Sequence, residues 1–279
     1  MHFWTTHKDD EYTFRGETVK GSQLRHIIRD ELLQALVGTS ILYNQPFTEN
    51  GIACTTTSVI AAVLGFTSLE AIDVAGRDRI KKVHLLLAMF NALQPGVFAL
   101  SGWDLSGAFT LDAKSVADLI KDGDTRWMNR GAYDLMDQNP QAIQSAAGIP
   151  KATSLYGSLS QQMKDPQSFA LQLQKILEVR AQYAIATSLQ IEIPEVTHKG
   201  SLIMVHQLKA KEQIQVTLLN FSAEFIEEIL HSPYLPVDAD VTDMFTGQIL
   251  GTINRQHCIS VTVGSYEGRS LLITLCSSK

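Results

Sequence analysis

One stretch, residues 79–107, constrains the fold of this chain more than any other. It joins an apolar helical segment, a Gln-Pro-Gly turn and an unbroken apolar run that ends in polar residues. In the helical segment, apolar side chains recur at positions i, i+3, i+4 and i+7, which predicts one buried helical face: Val83, Leu86, Leu87 and Phe90. Pro95 is expected to end this helix, because proline has no N–H to donate and clashes with the preceding turn.

The run after the turn, residues 97–100, is apolar without alternation and leads into Trp103 and Asp104. Such a run is typical of a parallel strand that is buried on both faces. Helix, turn and strand together predict one αβ unit of an α/β fold, and the active sites of parallel barrels lie at the carboxyl ends of the strands. Trp103 and Asp104 are therefore candidate binding residues, although Trp103 could equally pack on the next helix.

The composition favours a globular chain with a large core. Its 279 residues are 45% hydrophobic and 19% charged, which allows one large or two ordinary domains and argues against wholesale disorder. The net charge of −6 and the lack of a basic run argue against nucleic acid and against an anionic membrane surface as partners. The apolar stretch at 83–100 is interrupted by His84, Asn91 and the Pro-Gly turn, so it does not predict a membrane span.

The cysteines and histidines do not indicate a metal site or a cofactor. Cys54, Cys258 and Cys276 are far apart and odd in number, which predicts free thiols in a reducing, cytoplasmic environment. The eight histidines show no metal-ligand spacing. We find no secretory signal peptide, Gly-rich phosphate loop or nucleophile elbow.

The periodicity changes from helical to strand-like at about residue 192. Apolar runs of strand length then follow one another between Gly, Pro, Asn and Asp turns, at 202–206, 214–221, 224–230, 259–263 and 271–275. This spacing predicts an antiparallel β-sandwich over residues 194–279, after a first domain at 1–193. Before it, Asp165 as N-cap and Pro166 at the first helical position predict a helix that buries Phe169, Leu173 and Ile176.

Two further groups of polar residues are candidate site residues. His7, Asp9 and Asp10 follow an apolar pair at the start of the chain, and could bind hydroxyl groups beyond a strand end or form a solvated, charged terminus. Arg126 lies in an irregular segment, 122–133, that is rich in Arg, Asn, Trp and Tyr. Long irregular segments are often functional, so this one is either a sugar-binding rim or an ordered structural loop.

The run at 94–104 resembles the eighth-strand motif of the α-amylase family of glycoside hydrolases, Pro-Gly-x-Pro-x-x-Tyr-Tyr-Gly-x-acid. This chain keeps Pro95, Gly96, Gly102 and a terminal acid, Asp104. It departs from the motif at Phe98 and Ser101 and is one residue shorter. The segments 175–180, 243–247 and 265–268 resemble the last barrel helix and the C-terminal sandwich of the same family.

Within that family, four segments are most similar to maltose α-D-glucosyltransferases, the trehalose synthase subfamily: 48–55, 84–96, 124–127 and 129–135. The resemblance covers essentially the whole chain. It makes His7 the counterpart of the histidine in the family's Asn-His-Asp motif, at the end of the seventh barrel strand. Lys8 stands where the motif has its acid, so either Asp9 or Asp10 takes that role, and we choose Asp9.

The resemblance implies a fold made of the last strands and helices of a (β/α)8 barrel, followed by the antiparallel sandwich. It implies interconversion of maltose and trehalose by intramolecular glucosyl transfer, without a metal or cofactor. His7 and Asp9 would be catalytic, and Trp103, Asp104 and Arg126 would bind maltose, trehalose or a related α-glucoside.

The same resemblance implies that the chain is a C-terminal portion that is inactive alone. Retaining glycosyl transfer needs two carboxyl groups about 5 Å apart, and the family's nucleophile and acid/base motifs on strands four and five do not occur in this sequence. An N-terminal half of the barrel would then be a partner. The alternatives are a non-catalytic carbohydrate- or partner-binding remnant, and part of an α-amylase-type hydrolase.

Overall fold

The computed structural model describes residues 7–36, 45–47, 51–209 and 213–275. Its helices are α1 (Gly21–Leu36), α2 (Thr56–Val63), α3 (Val74–Ala92), α4 (Gly102–Ser106), α5 (Leu159–Gln162) and α6 (Phe169–Gln182). Its strands are β1 (Glu11–Phe14), β2 (Glu17–Lys20), β3 (Gln45–Phe47), β4 (Gly51–Ala53), β5 (Leu189–Glu192), β6 (Ser201–Leu208), β7 (Gln213–Asn220), β8 (Ile226–His231), β9 (Asp240–Asp243), β10 (Ile249–Thr252), β11 (Cys258–Val263) and β12 (Gly268–Thr274). In this part of the chain, no helix has both the length and the apolarity needed to cross a membrane.

The chain forms two compact units, and each is interleaved in sequence with the other. The first contains residues 1–74 and 102–158, and the second contains residues 75–101 and 159–279. The predicted boundary at residue 193 falls inside the second unit, between β5 and β6, which pair with each other in one sheet. That boundary stays a prediction.

The first unit contains two short hairpins, β1–β2 and β3–β4, together with α1, α2 and α4. Arg15 and Gly16, which join β1 to β2, both have positive φ angles, of 53° and 84°. Two such residues make the tight turn that matches the twist of an antiparallel pair. The irregular segment after α4 packs around a small apolar cluster: Ala108, Leu111, Val116, Met128 and Ala152.

Buried hydrogen bonds tie the start of α2 to this segment. The backbone N–H of Thr55 donates to Oγ1 of Thr110 at 2.9 Å, and the N–H of Thr110 donates to Oγ of Ser58 at 2.9 Å. Thr55 is also the N-cap of α2, because its hydroxyl accepts the N–H of Ser58. The same three side chains therefore start the helix and fix the chain that follows α4.

The second unit has three layers. A six-stranded antiparallel sheet, in the order β10-β9-β12-β7-β6-β5, lies between the β8–β11 pair and the helices α3 and α6. Because side chains alternate along a strand, β6 contributes side chains to both faces of the sheet. Ile203 and Val205 belong to the sandwich core, whereas Met204 and Leu208 belong to the cluster under the helices.

The predicted antiparallel sandwich is confirmed, and the predicted barrel strands are not shown. Every pairing between the named strands is antiparallel. The predicted buried strand at 97–100 is wrong, since the chain there is irregular and Val97 is 96% exposed. A strand needs a neighbour to satisfy its backbone groups, and an apolar run alone does not supply one.

The predicted helix before the turn is confirmed as α3. Of the four predicted face residues, Leu86 is buried and Val83, Leu87 and Phe90 are half-buried. The buried positions of α3 are Gly76, Ile80, His84, Leu86, Ala88, Met89 and Ala92. The helix packs closely on the sheet, because a Cβ atom on Gly268 in β12 would lie 2.9 Å from the Cε atom of Met89.

Candidate functional site

The predicted binding residues Trp103 and Asp104 lie on the short helix α4 rather than at the end of a strand. The carbonyl oxygen of Trp103 accepts the backbone N–H of Ala108 and the hydroxyl of Ser106, both at 3.0 Å. Trp103 packs half-buried against the apolar cluster of the first unit, and Asp104 is only 6% exposed. The local sequence thus places a buried carboxylate one residue from an aromatic ring.

Asp104 lies close to Tyr156, which also belongs to the first unit. Burial, and after it the negative charge of Asp104, raise the pKa of Tyr156 well above its usual value. The phenol therefore stays protonated at neutral pH and remains a hydrogen-bond donor beside the carboxyl group. An acid and a protonated phenol therefore lie together at α4.

The end of α4 holds the Tyr156 ring in place. Gly107 has a φ of 64°, and a Cβ atom there would lie 2.8 Å from two ring carbons of Tyr156. The backbone N–H of Tyr156 donates to the carbonyl of Ser106 at 3.0 Å, and that of Leu155 donates to the carbonyl of Gly107 at 3.1 Å. Glycine is required at this position both by the left-handed backbone and by the close ring.

Arg126 lies on a helical turn, Thr125–Asn129, and is paired with Asp124. Its Nε and Nη2 atoms donate to the two carboxylate oxygens of Asp124, each at 2.7 Å. This bidentate pair lowers the pKa of Asp124 to about 2, with the side-chain hydrogen bond as the largest cause. Next to it, the guanidinium of Arg130 lies 4.8 Å from the ring centroid of Trp127.

The structure brings Trp103 and the turn that bears Arg126 onto one apolar cluster. Met128, from that turn, is fully buried in the cluster against which Trp103 packs. The backbone N–H of Leu111 donates to the carbonyl of Met128 at 2.7 Å, which fixes the turn against the segment after α4. Both interpretations of this loop, sugar-binding rim and structural turn, fit such an anchored position.

A cleft of about 340 Å³ in the first unit is a site that the sequence did not predict. Its lining residues are Ala132, Tyr133, Asp134, Asn139, Ala142, Gln144, Ser145, Ala146 and Lys151. It adjoins the start of α4, because a Cβ atom on Gly102 would overlap the hydroxyl of Tyr133. An aromatic ring together with carboxylate, amide and ammonium groups can stack on a sugar ring and bind its hydroxyls.

Asp134 organises the loop that forms this cleft. Its two carboxylate oxygens accept the backbone N–H groups of Gln138 at 2.9 Å and Asn139 at 2.6 Å. These hydrogen bonds, the one from Asn139 first, lower the pKa of Asp134 below its usual value. Aspartate followed by polar residues at this spacing is a known turn signal, and it was the sequence feature that could have indicated the loop.

The structure pairs His7 with Asp10 rather than with Asp9. Nδ1 of His7 lies 2.6 Å from Oδ2 of Asp10, whereas Asp9 lies 3.9 Å from Nζ of Lys8. Both carboxylates are exposed, in a turn directly before β1. The catalytic role of His7 and Asp9 stays a prediction, and the predicted seventh strand at residues 3 and 4 lies outside the described residues.

Within the described ranges, no three His, Cys, Asp or Glu side chains are grouped so that they could hold a metal ion. Cys54 is half-buried, and burial raises the pKa of its thiol to about 11. At neutral pH this thiol is therefore not a nucleophile. Cys276 lies outside the described residues.

No protein-family model matches this chain, and no curated protein matches it. Among solved structures, an isomaltulose synthase variant from Erwinia rhapontici NX5, in complex with D-glucose, matches with a TM-score of 0.50 and 13% identity over 76% of this chain and 41% of that one. Trehalose-6-phosphate hydrolase from Bacillus licheniformis matches with a TM-score of 0.49 and 13% identity over 69% of this chain and 39% of that one.

An α-amylase from Geobacillus thermoleovorans, complexed with acarbose, matches with a TM-score of 0.47 and 12% identity over 77% of this chain and 36% of that one. The chain thus spans between 36% and 41% of the length of these three structures. Its fold is similar to part of the isomaltulose synthase fold, at 13% sequence identity.

Proposed function

We propose that this chain is the C-terminal portion of a trehalose synthase-like enzyme, which interconverts maltose and trehalose by intramolecular glucosyl transfer. The observation that supports the proposal most is the fold similarity to the isomaltulose synthase structure that holds D-glucose. The sequence adds Pro95, Gly96, Gly102 and Asp104, which keep the spacing of the family motif apart from one missing residue. A cytoplasmic location remains part of this proposal.

The chemistry around α4 fits the binding of an α-glucoside. Asp104 offers a carboxylate acceptor, Tyr156 a protonated donor and Trp103 an aromatic face, which are the groups that bind sugar hydroxyls and ring carbons. Arg126, held by Asp124, is proposed to contribute to the same sugar-binding site. His7 and Asp9 would contact hydroxyls of the reacting glucose and stabilise the oxocarbenium-like transition state.

By itself, the chain is expected to bind the sugar without turning it over. The nucleophile and the acid/base carboxyl group are proposed to come from an N-terminal half of the barrel, which would be the chain's partner. The direct test incubates the purified chain with maltose and follows trehalose and glucose by proton NMR. Formation of either sugar at an ordinary enzymatic rate would refute the proposed inactivity.

Calorimetry with maltose tests the binding site. An Asp104→Asn variant is expected to weaken binding by about tenfold, the loss of one hydrogen bond to a charged group. Asp118→Asn is the matched control, because Asp118 belongs to the same unit but is an exposed acid paired with Lys121. Equal affinities for the wild type and both variants would show that Asp104 does not bind the sugar.

A second candidate function is a non-catalytic carbohydrate-binding protein, and the cleft beside Tyr133 favours it. This cleft requires no residue from a barrel half, so a sugar bound there should depend on Tyr133 and not on Asp104. A Tyr133→Ala variant that loses maltose binding, while Asp104→Asn keeps it, would select this candidate. If an N-terminal half restores activity, the products decide between isomerase and α-amylase-type hydrolase: trehalose for the first and glucose for the second.

A further inference from the structure

A second and larger cleft, of about 610 Å³, lies within the second unit. It is formed by one face of α3, the start of α6 and two turns of the sheet, and it is lined by Asp78, Lys81, Lys82, Leu85, Leu86, Met89, Gln167, Gln172, Lys175, Ile176, Phe245, Thr246, Tyr266, Glu267 and Gly268. None of these residues belongs to the first unit. We call it the lysine cleft.

The lysine cleft has an apolar floor and a cationic rim. Leu86, Met89 and Ile176 are buried parts of the cluster under the helices, and Phe245 packs half-buried against the same cluster. A surface with this floor can take up the carbon face of a small ring. The charges at the rim determine which ring-bearing ligands would bind there.

Three lysines at the rim face only two acids. Nζ of Lys81 lies 3.3 Å from Asp78, and Nζ of Lys82 lies 3.0 Å from Glu267. Lys175 makes no ion pair within the described part of the chain. The cleft therefore carries a net positive charge in a chain whose net charge is −6, and this contrast favours an anionic ligand.

Tyr266 lines the lysine cleft, and its backbone conformation is unfavourable for a residue that has a side chain. Its φ angle is 52°, in the left-handed region, where glycine would carry no steric cost. Its backbone N–H donates to the carbonyl of Ser222 at 3.0 Å, so the turn is held in this conformation. A bulky residue kept at such a position points to a use for its side chain.

We propose that the lysine cleft binds a phosphate monoester carried on a ring. The ring lies on Phe245 and Tyr266, and the phosphate is bound by the ammonium group of Lys175, with Lys82 beside it. Lysine binds phosphate as a compact charge with three donors. The carrier is a sugar or a nucleoside, which share this chemistry. The proposal goes beyond the proposed function, because maltose and trehalose carry no phosphate.

Calorimetry on the full chain tests this proposal with five probes: glucose 6-phosphate, adenosine 5′-monophosphate, inorganic phosphate, glucose and maltose. Saturable binding of at least one ring-bearing phosphate is expected, at a lower affinity for inorganic phosphate. Lys175→Gln should weaken that binding by about tenfold, the loss of one charge-assisted hydrogen bond. Lys199→Gln is the matched control, since Lys199 is exposed and does not line the cleft, and it should change nothing.

The Tyr266→Gly variant removes the tyrosine ring and leaves the backbone conformation of the turn unchanged. Glycine accepts the left-handed conformation, so this variant should fold at least as well as the wild type. It should lose affinity for the ring-bearing phosphates and keep its affinity for inorganic phosphate. The probe that responds, the sugar or the nucleoside phosphate, identifies the carrier.

Three results would overturn the proposal: no binding of either ring-bearing phosphate, binding of glucose as tight as that of glucose 6-phosphate, or equal losses in Lys175→Gln and Lys199→Gln. An inorganic phosphate affinity equal to that of both ring-bearing probes would overturn the ring contact. Maltose binding is measured separately through Asp104→Asn. Failure of the phosphate-binding experiment therefore leaves the proposed function unaffected. Failure of the maltose-binding experiment leaves the proposal for the lysine cleft unaffected.

Discussion

The guanidinium of Arg180 donates from Nη1 to the carbonyl oxygen of Gln94 at 2.6 Å, which joins α6 to the turn after α3. The same side chain also donates to the carbonyls of Ala92 and Gly96. The last carbonyls of a helix have no partner within that helix. Arg180 thus acts as a C-terminal cap supplied by another helix, and it fixes the direction in which the chain leaves the Pro-Gly turn.

Replacing Arg180 by methionine is expected to lower the free energy of unfolding by about 3 kcal/mol, because three carbonyls lose a charged donor. Arg180→Lys should have an intermediate effect, since an ammonium group cannot span the three carbonyls as the planar guanidinium does. Urea unfolding followed by far-UV circular dichroism measures both. If the methionine variant unfolds at the wild-type midpoint, the cap does not stabilise the unit.

His206 and Gln215 form a buried polar pair between the sheet and its helices. Nδ1 of His206 lies 2.7 Å from Oε1 of Gln215, whose Nε2 donates to Ser270 at 3.0 Å. The glutamine oxygen therefore accepts, and His206 carries its proton on Nδ1. Nε2 of His206 is buried and has no hydrogen-bond partner in the described part of the chain. Burial lowers the pKa of this histidine, although the Gln215 hydrogen bond opposes the shift.

The lowered pKa of His206 predicts acid sensitivity. Its folded pKa lies below the usual 6.5, so the unfolded chain binds the proton more readily. The contribution to stability is complete above pH 6.5 and is lost as the pH falls from there through the folded pKa. Between pH 7 and pH 5, we expect the free energy of unfolding to fall more in the wild type than in a His206→Asn variant. Urea unfolding at each pH gives the comparison, with exposed His231→Asn expected to match the wild type.

Glu228 is fully buried and anchors the segment before β6. Its carboxylate accepts the N–H and the hydroxyl of Thr197, at 2.7 and 2.6 Å, and the N–H of His198 at 3.2 Å. Burial raises the pKa of Glu228, but hydrogen bonds from Thr197 and His198 outweigh it and hold the pKa below its usual 4.5. The ionised form is therefore the one that stabilises the fold.

Glu228→Gln is expected to cost roughly 2 kcal/mol at pH 7, because the amide nitrogen cannot accept the hydrogen bonds that the second oxygen accepts. The contribution of the ionised group is present above pH 4.5 and is lost as the pH falls through the folded pKa. The difference between variant and wild type should thus shrink in acid. Glu227→Gln, at the adjacent exposed position, is the control, and a similar loss in both would contradict the role of Glu228.

Local patterns predicted the sandwich, while contacts between distant residues decided the rest. The strands β6, β7, β8, β11 and β12 carry their own turn residues and apolar runs, so they could be found from the sequence. The short strands β5, β9 and β10 lack such runs and were not predicted. The cap by Arg180 joins residues more than eighty positions apart, and no local pattern indicates it. The run at 97–100 predicted a strand because apolar character is shared by buried strands and by irregular chain next to a core.

The start of α6 is a second place where the local sequence pattern did not predict the structure correctly. Asp165 was predicted as the N-cap, but the cap is Ser168, whose hydroxyl accepts the N–H of Leu171. Asp165 instead closes the preceding turn by accepting the N–H of Gln167 at 2.9 Å. At the candidate site, Asp104 was predicted from its place in the run, whereas Tyr156, more than fifty residues away in sequence, was not. Its contact with Gly107 exists only in the folded chain.

That contact gives a prediction with an internal control. Gly107→Ala must place a Cβ atom both in the left-handed region and against the Tyr156 ring, at 2.8 Å. Gly123→Ala also places a Cβ atom on a left-handed backbone, with a φ of 87°, but nothing lies within 4 Å of its Cβ position. We expect a loss of about 1 kcal/mol for Gly123→Ala and about 3 kcal/mol for Gly107→Ala, the difference coming from overpacking. Thermal unfolding measures both. Equal losses would mean that the ring moves away freely, and the proposed sugar site would then lack a fixed phenol donor beside Asp104.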